Sequence, residues 1–364
     1  MDEVSCMLPL SGVSVVNAAG HQGAYLARLL SDLGADTVRL PTDAADAKEP
    51  SPFFTVGQQI MPPGESLEGL LERAHLLITG AGPAKLRRLG LAPDTLARRF
   101  PRLVHVALSP YGQDGPHADR PATDLTVLAA GGLLALSGDP DRPPVRPVGE
   151  QSAIAASLHA GVGALIALLV LEETGEGQQV DVSAQEAVAH SLENAAQYFD
   201  LEGVVRRRTG SASAEAANGL FACADGWVYL VAGIGGSPLG WTGLVTWLEG
   251  AGLPGASQLR AGRWEEHQWR RTAEAAAEFR LVFEGFARER SKQVLYEEGQ
   301  RHGVSIAPVS TPGDLLTSPQ LVERNFFRTV QMDGEPVLVP GSPYRFRGLD
   351  VGPGRAMPPR ADKV

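Results

Sequence analysis

GVSVVNAAGHQGAYLARLLSDLGADTVRL, residues 12–40, holds two short β-rich runs, VSVV and DTVRL, on either side of a helical pattern. Leu26, Leu29, Leu30 and Leu33 recur at three- and four-residue spacing, which gathers them on one helix face. Strand, glycine-containing turn, helix and second strand make a βαβ unit, whose right-handed crossover sets the two strands parallel. AHLLITGAGP (74–83) and RLVHVALSP (102–110) add two buried-type strands separated by the helical DTLARRF (94–100). QQVDVS (178–183) reads as a further strand. An open parallel sheet of an α/β protein is the natural reading.

The remaining chain is read around that sheet. Residues 41–63, rich in proline, acid and alanine, look like a surface excursion, and LTVLAAGGLLAL (125–136) is helical. A Pro/Asp-rich link, SGDPDRPPVRP, precedes a long apolar helix containing His159, and EGVVRRRTGSASAEAANG (202–219) reads as an interdomain linker. GLFACADGWVYLVAG (219–233) is a hairpin turning at Ala224-Asp225-Gly226. Residues 241–298 are mainly helical, GVSIAPVST is a short strand, and TVQMDGEPVLVPGSP is a terminal β ribbon.

Composition excludes several classes. With 364 residues, 43% hydrophobic and 20% charged, the chain has the make-up of a globular protein of one large and one smaller domain. A net charge of −10 opposes binding to nucleic acid or an anionic membrane. Cys6 and Cys223 fit neither a metal site nor a disulfide framework, and point to a reducing cytoplasm. The acidic start, MDEVSC, argues against a secretory signal. The apolar run Leu158–Leu171 is too short to span a membrane and reads as a buried helix. No HExxH, CxxC, GxSxG or P-loop pattern occurs, so neither a metal nor a serine-hydrolase mechanism is expected.

The first βα turn, AAGHQG, invites a dinucleotide reading but lacks G-x-G-x-x-G spacing and the acid that should end the second strand. A helix N-terminus at a strand's carboxyl end can still hold an anion, with Gly23 permitting close backbone approach. Arg39 closes the second strand, and KLRRLG brings Lys85, Arg87 and Arg88 after the third. Solvated helix charge explains such residues as well as phosphate contact does.

Four blocks, in order, resemble the class III coenzyme A transferase family, which includes formyl-CoA transferases and α-methylacyl-CoA racemases. They are the stretch from Gly12, LRRLGLAPDTLARRFPRLVHVALSPYGQDGP from Leu86, HAGVGALIALLVLEETGEGQQVDVSAQEA from His159, and HGVSIAPVSTPGDLLTSPQLVERNFF from His302. The resemblance implies a large Rossmann-like domain with a parallel sheet (1–200 and 320–364) and a smaller α+β domain (201–319). It implies an interlocked-ring dimer, either a homodimer or a heterodimer with a paralogue. Coenzyme A or an acyl-CoA is implied as substrate or ligand, with no covalently bound cofactor. His21, Gln22, Gly23, Arg39 and Arg88 fall on positions implied to bind it.

Family transferases use an aspartate nucleophile that opens the long helix, ten residues before a glycine matching Gly163. Counting back gives Ala153, whose methyl can neither attack a thioester nor relay a proton. Glu150 lies three residues upstream, with helix capping or simple exposure as its plain alternatives. Asp124 matches an acidic active-site position, or else caps the helix starting near Leu125. His159 is a catalytic candidate or a packed core histidine. Racemases of the family pair a histidine with the same aspartate, and Thr123 and Ala153 stand in those places here. The expectation is thus a CoA-transferase-like enzyme acting by a non-standard mechanism. The alternatives are an isomerase, racemase or lyase using Asp124, Glu150 or His159, a non-catalytic subunit of a heteromeric transferase, or an acyl-CoA-binding protein.

Overall fold

A computed structural model describes residues 7–41, 50–210, 215–233, 240–332 and 334–354. Cys6, the acidic start and parts of the 41–63 and 202–219 segments lie outside the described residues. The chain divides into two compact units: Met1–Ala135 with Arg146–Arg206 and Pro319–Val364, and Leu136–Val145 with Arg207–Ser318.

In the large unit, β1 (Ser14–Ala18), β2 (Asp36–Arg39), β3 (Gln59–Ile60), β4 (Leu76–Thr79), β5 (Val104–Ser109) and β6 (Gln179–Ser183) form one sheet. Its order is β3-β2-β1-β4-β5-β6, and every pairing is parallel. This is the doubly wound arrangement, with the direction of winding reversing between β1 and β4. β3 corrects the reading of residues 41–63 as a surface excursion alone: two residues of that segment extend the sheet edge beside Val38 and Arg39.

Both faces of the sheet are covered, so its central strands are apolar throughout rather than alternating. Leu76 and Ile78 pack with Leu26, Leu30 and Val106 in one core, while Leu77, between them, joins Val16, Leu86 and Leu96 in another. The first core is built by helix α1 (Gly20–Asp32) and by the long helix, labelled α4 below. The second contains Leu86 of α2 (Pro83–Arg88).

After α3 (Asp124–Ala130) comes α4 (Gln151–Thr174), 24 residues long, and then α5 (Ala184–His190). Ala156, Ala160, Ala164 and Ala167 place a stripe of small residues on α4 against the core. At Gly163 a Cβ would lie 2.8 Å from Val180 Cγ1, so a side chain there would push the helix off β6. The opposite flank is open: Leu158, Val162, Ile166 and Leu169 are all exposed. The expectation of a buried helix is therefore corrected to a half-buried one. By length and composition alone α4 could cross a membrane, yet its alanine face packs as a globular core helix does.

The small unit carries an antiparallel sheet of β7 (Asn218–Cys223), β8 (Gly226–Val231) and β9 (Ser305–Pro308), in that order. α6 (Trp241–Gly250), α7 (Ala273–Ala287) and α8 (Lys292–Arg301) supply its helices. Phe221 meets Phe283 edge-on with centroids 5.0 Å apart, a favoured aromatic geometry, within a core that includes Trp241, Trp247 and Trp264. Arg270 is buried there, its Nε donating to Glu215 at 2.6 Å and its Nη1 to the Trp264 carbonyl at 2.7 Å.

The chain then returns to the large unit as a ribbon of β10 (Phe327–Met332) and β11 (Glu335–Pro340). Beyond it, the Gly352 amide donates to the Asp32 carbonyl at the end of α1, at 3.0 Å.

Candidate active site

Parallel strands deliver their side chains to one edge, and ligands of such sheets lie beyond the strands' carboxyl ends where the winding reverses. A cavity of about 810 Å³ opens there, inside the large unit. Ala18 at the end of β1 and Ala19 after it, Thr79 at the end of β4, and Leu108 of β5 contribute to its wall. One part is apolar, with Leu40, Leu67, Leu86, Leu89 and Leu91. Polar lining residues are His21, Gln22, Thr123, Asp124, Arg146, Glu150 and Ser152, with Ala153 among them, and Lys85 next to Leu86.

The polar part is organised by the start of α4. Glu150 occupies the N-cap position, but its side chain makes no capping hydrogen bond. Instead its carboxylate contacts Nε2 of His21, in the first turn of α1. The cap comes from elsewhere in the sequence: Asp124 Oδ1 accepts from the Ser152 amide at 2.9 Å and from the Ser152 hydroxyl at 2.8 Å. A carboxylate at this end of a helix is favoured by the unpaired amides and by the helix dipole. Asp124 Oδ2 accepts from Arg146 Nε at 3.1 Å, and Arg146 Nη2 also donates to the Gly149 carbonyl at 2.8 Å. Both carboxylates beside Ala153 are thus engaged with protein groups.

Two buried polar atoms in this polar part, His21 Nδ1 and Gln22 Oε1, have no hydrogen-bond partner among the described residues. At the end of β4 the Thr79 hydroxyl meets Nε2 of the buried His105 at 2.8 Å. Burial pushes the His105 pKa down to about 4, which keeps the ring neutral at physiological pH.

Residues 63–363 match the profile of CoA-transferase family III. The chain belongs to that family. Subunit BbsE of the succinyl-CoA:(R)-benzylsuccinate CoA-transferase of Thauera aromatica is 37% identical, over 94% of this chain and 90% of its own. The β subunit of succinyl-CoA–L-malate CoA-transferase from Chloroflexus aurantiacus is 30% identical over 63% of this chain and 62% of its own. In fold, the chain resembles the crystal structure of a CaiB/BaiF family protein from Brucella suis. Their TM-score is 0.79 at 23% identity, over 97% of this chain and 96% of that one. CoA-transferases take CoA thioesters as substrates, and an acyl-CoA is accordingly the substrate class of the family to which this chain belongs.

Against this family background, the structure gathers some of the expected residues and separates others. His21, Gln22, Asp124, Glu150 and Ala153 line one cavity. Arg39, Arg88 and Gly23 are not among its lining residues, whereas Lys85 is. Gly23 has a packing role of its own: a Cβ would come within 2.8 Å of Ile78 Cγ2 and closer still to Ala19. The expected Asp124 N-cap is corrected. Thr123 caps α3 through a capping box with Thr126, and the freed Asp124 carboxylate serves α4. His159 is neither a core histidine nor a cavity residue. It is exposed on α4, its ring edge-on to His190 with centroids 5.0 Å apart. Arg146, Thr79 and His105 carry no motif and were not singled out from the sequence. A lone arginine amid the prolines of PPVRP was the only signal for the first of them.

Proposed function

We propose that this chain is the nucleophile-free subunit of a heteromeric class III CoA-transferase, and that a paralogous partner supplies the aspartate that carries the acyl group. The observation behind this reading is Ala153 in the cavity wall, with Glu150 held by His21 and Asp124 held by Ser152 and Arg146. Hydrogen bonds from these partners stabilise both carboxylates and lower their nucleophilicity. Two relatives support the heteromeric reading, since BbsE and the malate enzyme's β chain are each named as a subunit. Their names also favour a succinyl-CoA donor and a carboxylic-acid acceptor.

In the partner, the aspartate attacks the thioester carbonyl and releases the CoA thiolate, giving an acyl anhydride. The thiolate then attacks the anhydride at the enzyme carbonyl and frees the donor acid. The acceptor carboxylate attacks the resulting aspartyl-CoA thioester and expels the thiolate. That thiolate then attacks the acceptor carbonyl of the new anhydride, giving the product CoA ester and freeing the aspartate. In this chain the residues suited to hold a CoA ester are His21 and Gln22, whose buried orphan atoms need partners, and Lys85, a cation beside the apolar leucines. The exposed apolar flank of α4 is the surface we assign to subunit contact, in keeping with the interlocked dimer of the family.

The test is an assay of succinyl-CoA-dependent CoA transfer. Purified alone the chain should be inactive, while co-purification with a paralogue retaining the aspartate should restore turnover. Full activity of the homodimer would overturn the proposal. Ala153→Asp should give the chain by itself measurable transfer and a covalent acyl adduct by mass spectrometry.

A further inference from the structure

The pair formed by Thr79 and His105 has no part in the chemistry above, yet one of its members borders the cavity. Both side chains are almost wholly buried, Thr79 at 1% exposure and His105 at 3%. They sit on neighbouring strands: Leu77 is the register partner of His105, and Thr79 lies two residues further along on the same sheet face. The hydroxyl and Nε2 are 2.8 Å apart. His105 Nδ1 is sealed and has no partner among the described residues.

A neutral imidazole carries one N–H, and the surroundings decide which nitrogen holds it. A proton on Nδ1 would be a permanently unpaired buried donor, the more costly kind of orphan. A proton on Nε2 is donated to Thr79 Oγ1. The threonine oxygen then acts as acceptor, and its own hydrogen must be given to another group. No second partner of that hydroxyl occurs among the described residues, and Thr79 lines the cavity. A buried donor left open at the wall of a binding site is matched by an acceptor on the ligand.

We infer that Thr79 donates a hydrogen bond to an acceptor oxygen of the bound CoA ester, and that His105 is the positioning residue that turns its hydroxyl toward the cavity. The inference rests on the reading of this cavity as a CoA-ester site. It gives the nucleophile-free chain a ligand contact that does not depend on the carboxylates around Ala153.

Calorimetric titration of the full-length chain with coenzyme A tests it. Thr79→Val, which keeps the shape and removes the hydroxyl, should weaken binding roughly 3- to 30-fold, the range of one hydrogen bond whose partner is left bare. Thr79→Ser should restore most of the affinity, and the melting temperatures should follow a different order from the affinities. His105→Phe should weaken binding in the wild-type background but add nothing to Thr79→Val, the non-additivity of two groups acting through one contact. Wild-type affinity in Thr79→Val, or additive losses in the double variant, would overturn the inference while leaving the cavity reading intact. No binding of coenzyme A by the wild-type chain would overturn both.

Discussion

Two arginine–carboxylate pairs, one in each unit, are built alike and enclosed differently. In the small unit Arg270 and Glu215 are sealed, with side chains 3% and 7% exposed. In the large unit Asp124 is equally hidden at 6%, but Arg146 is 44% exposed and lines the cavity. A sealed pair depends on both members, because removing one strands a charge in a low-dielectric core. A half-open pair can lose its outer member and let water take the vacated place. The first arrangement therefore serves the fold, while the second keeps a helix end fixed beside space for a ligand.

The comparison can be broken most directly at its sealed end. Arg270→Met should destabilise the small unit by about 3–5 kcal/mol, since Glu215 would be left buried without its guanidinium. Calorimetry should show a markedly lowered transition, with a much smaller shift for Arg146→Met; equal shifts would remove the distinction. Asp124→Ala comes next, with an expected loss of about 1–2 kcal/mol from the uncapped start of α4. Asp124→Asn, which keeps an acceptor for the Ser152 amide, should cost less than half of that in the same measurement.

The smallest effect is expected at a third pair. Lys292 Nζ lies 2.5 Å from Asp314 Oδ2, and this contact, with the Thr311 amide and hydroxyl, lowers the Asp314 pKa to about 2. A carboxylate depressed on folding adds stability above its unfolded pKa near 4 and loses it as pH falls through about 2. Lys292→Met should flatten the pH dependence of unfolding between those limits, followed by the fluorescence of the small unit's tryptophans. An unchanged slope would show that the half-buried pair contributes nothing measurable.

Much of the sheet is legible in the sequence because its strands are short β-branched or leucine-rich runs punctuated by glycine and proline. β2, β4, β5 and β6 fall within stretches that read as strands, and β1 overlaps VSVV and runs two residues past it. β3 does not, since two residues in a proline-rich segment carry no periodicity and pair only because β2 is already in place. Of the residues read from the sequence as a site, Asp124, Glu150 and Ala153 do line one cavity, because the start of α4 and the start of α3 meet there. The use made of Asp124 was not legible: its partner Ser152 lies 28 residues away, and only tertiary packing brings that helix start to it. His159 was misread for a related reason. α4 is apolar almost all round, so periodicity cannot tell its alanine face from its exposed leucine, valine and isoleucine flank.

The discontinuity of the large unit bears on how the protein is made. The small unit has all its residues once Ser318 has been synthesised, whereas the large unit still lacks the ribbon and the segment from which Gly352 reaches the Asp32 carbonyl. Domains form as units during synthesis, in the order in which their chain becomes available. The later-starting, smaller piece can thus close first, while the large unit, its six-stranded sheet already synthesised, waits for the separate ribbon and the segment that reaches α1. A chain ending at residue 318 and released from the ribosome would carry all of the small unit beside an incomplete large one. A chain of that length should resist protease between 219 and 318 without the same protection across α1.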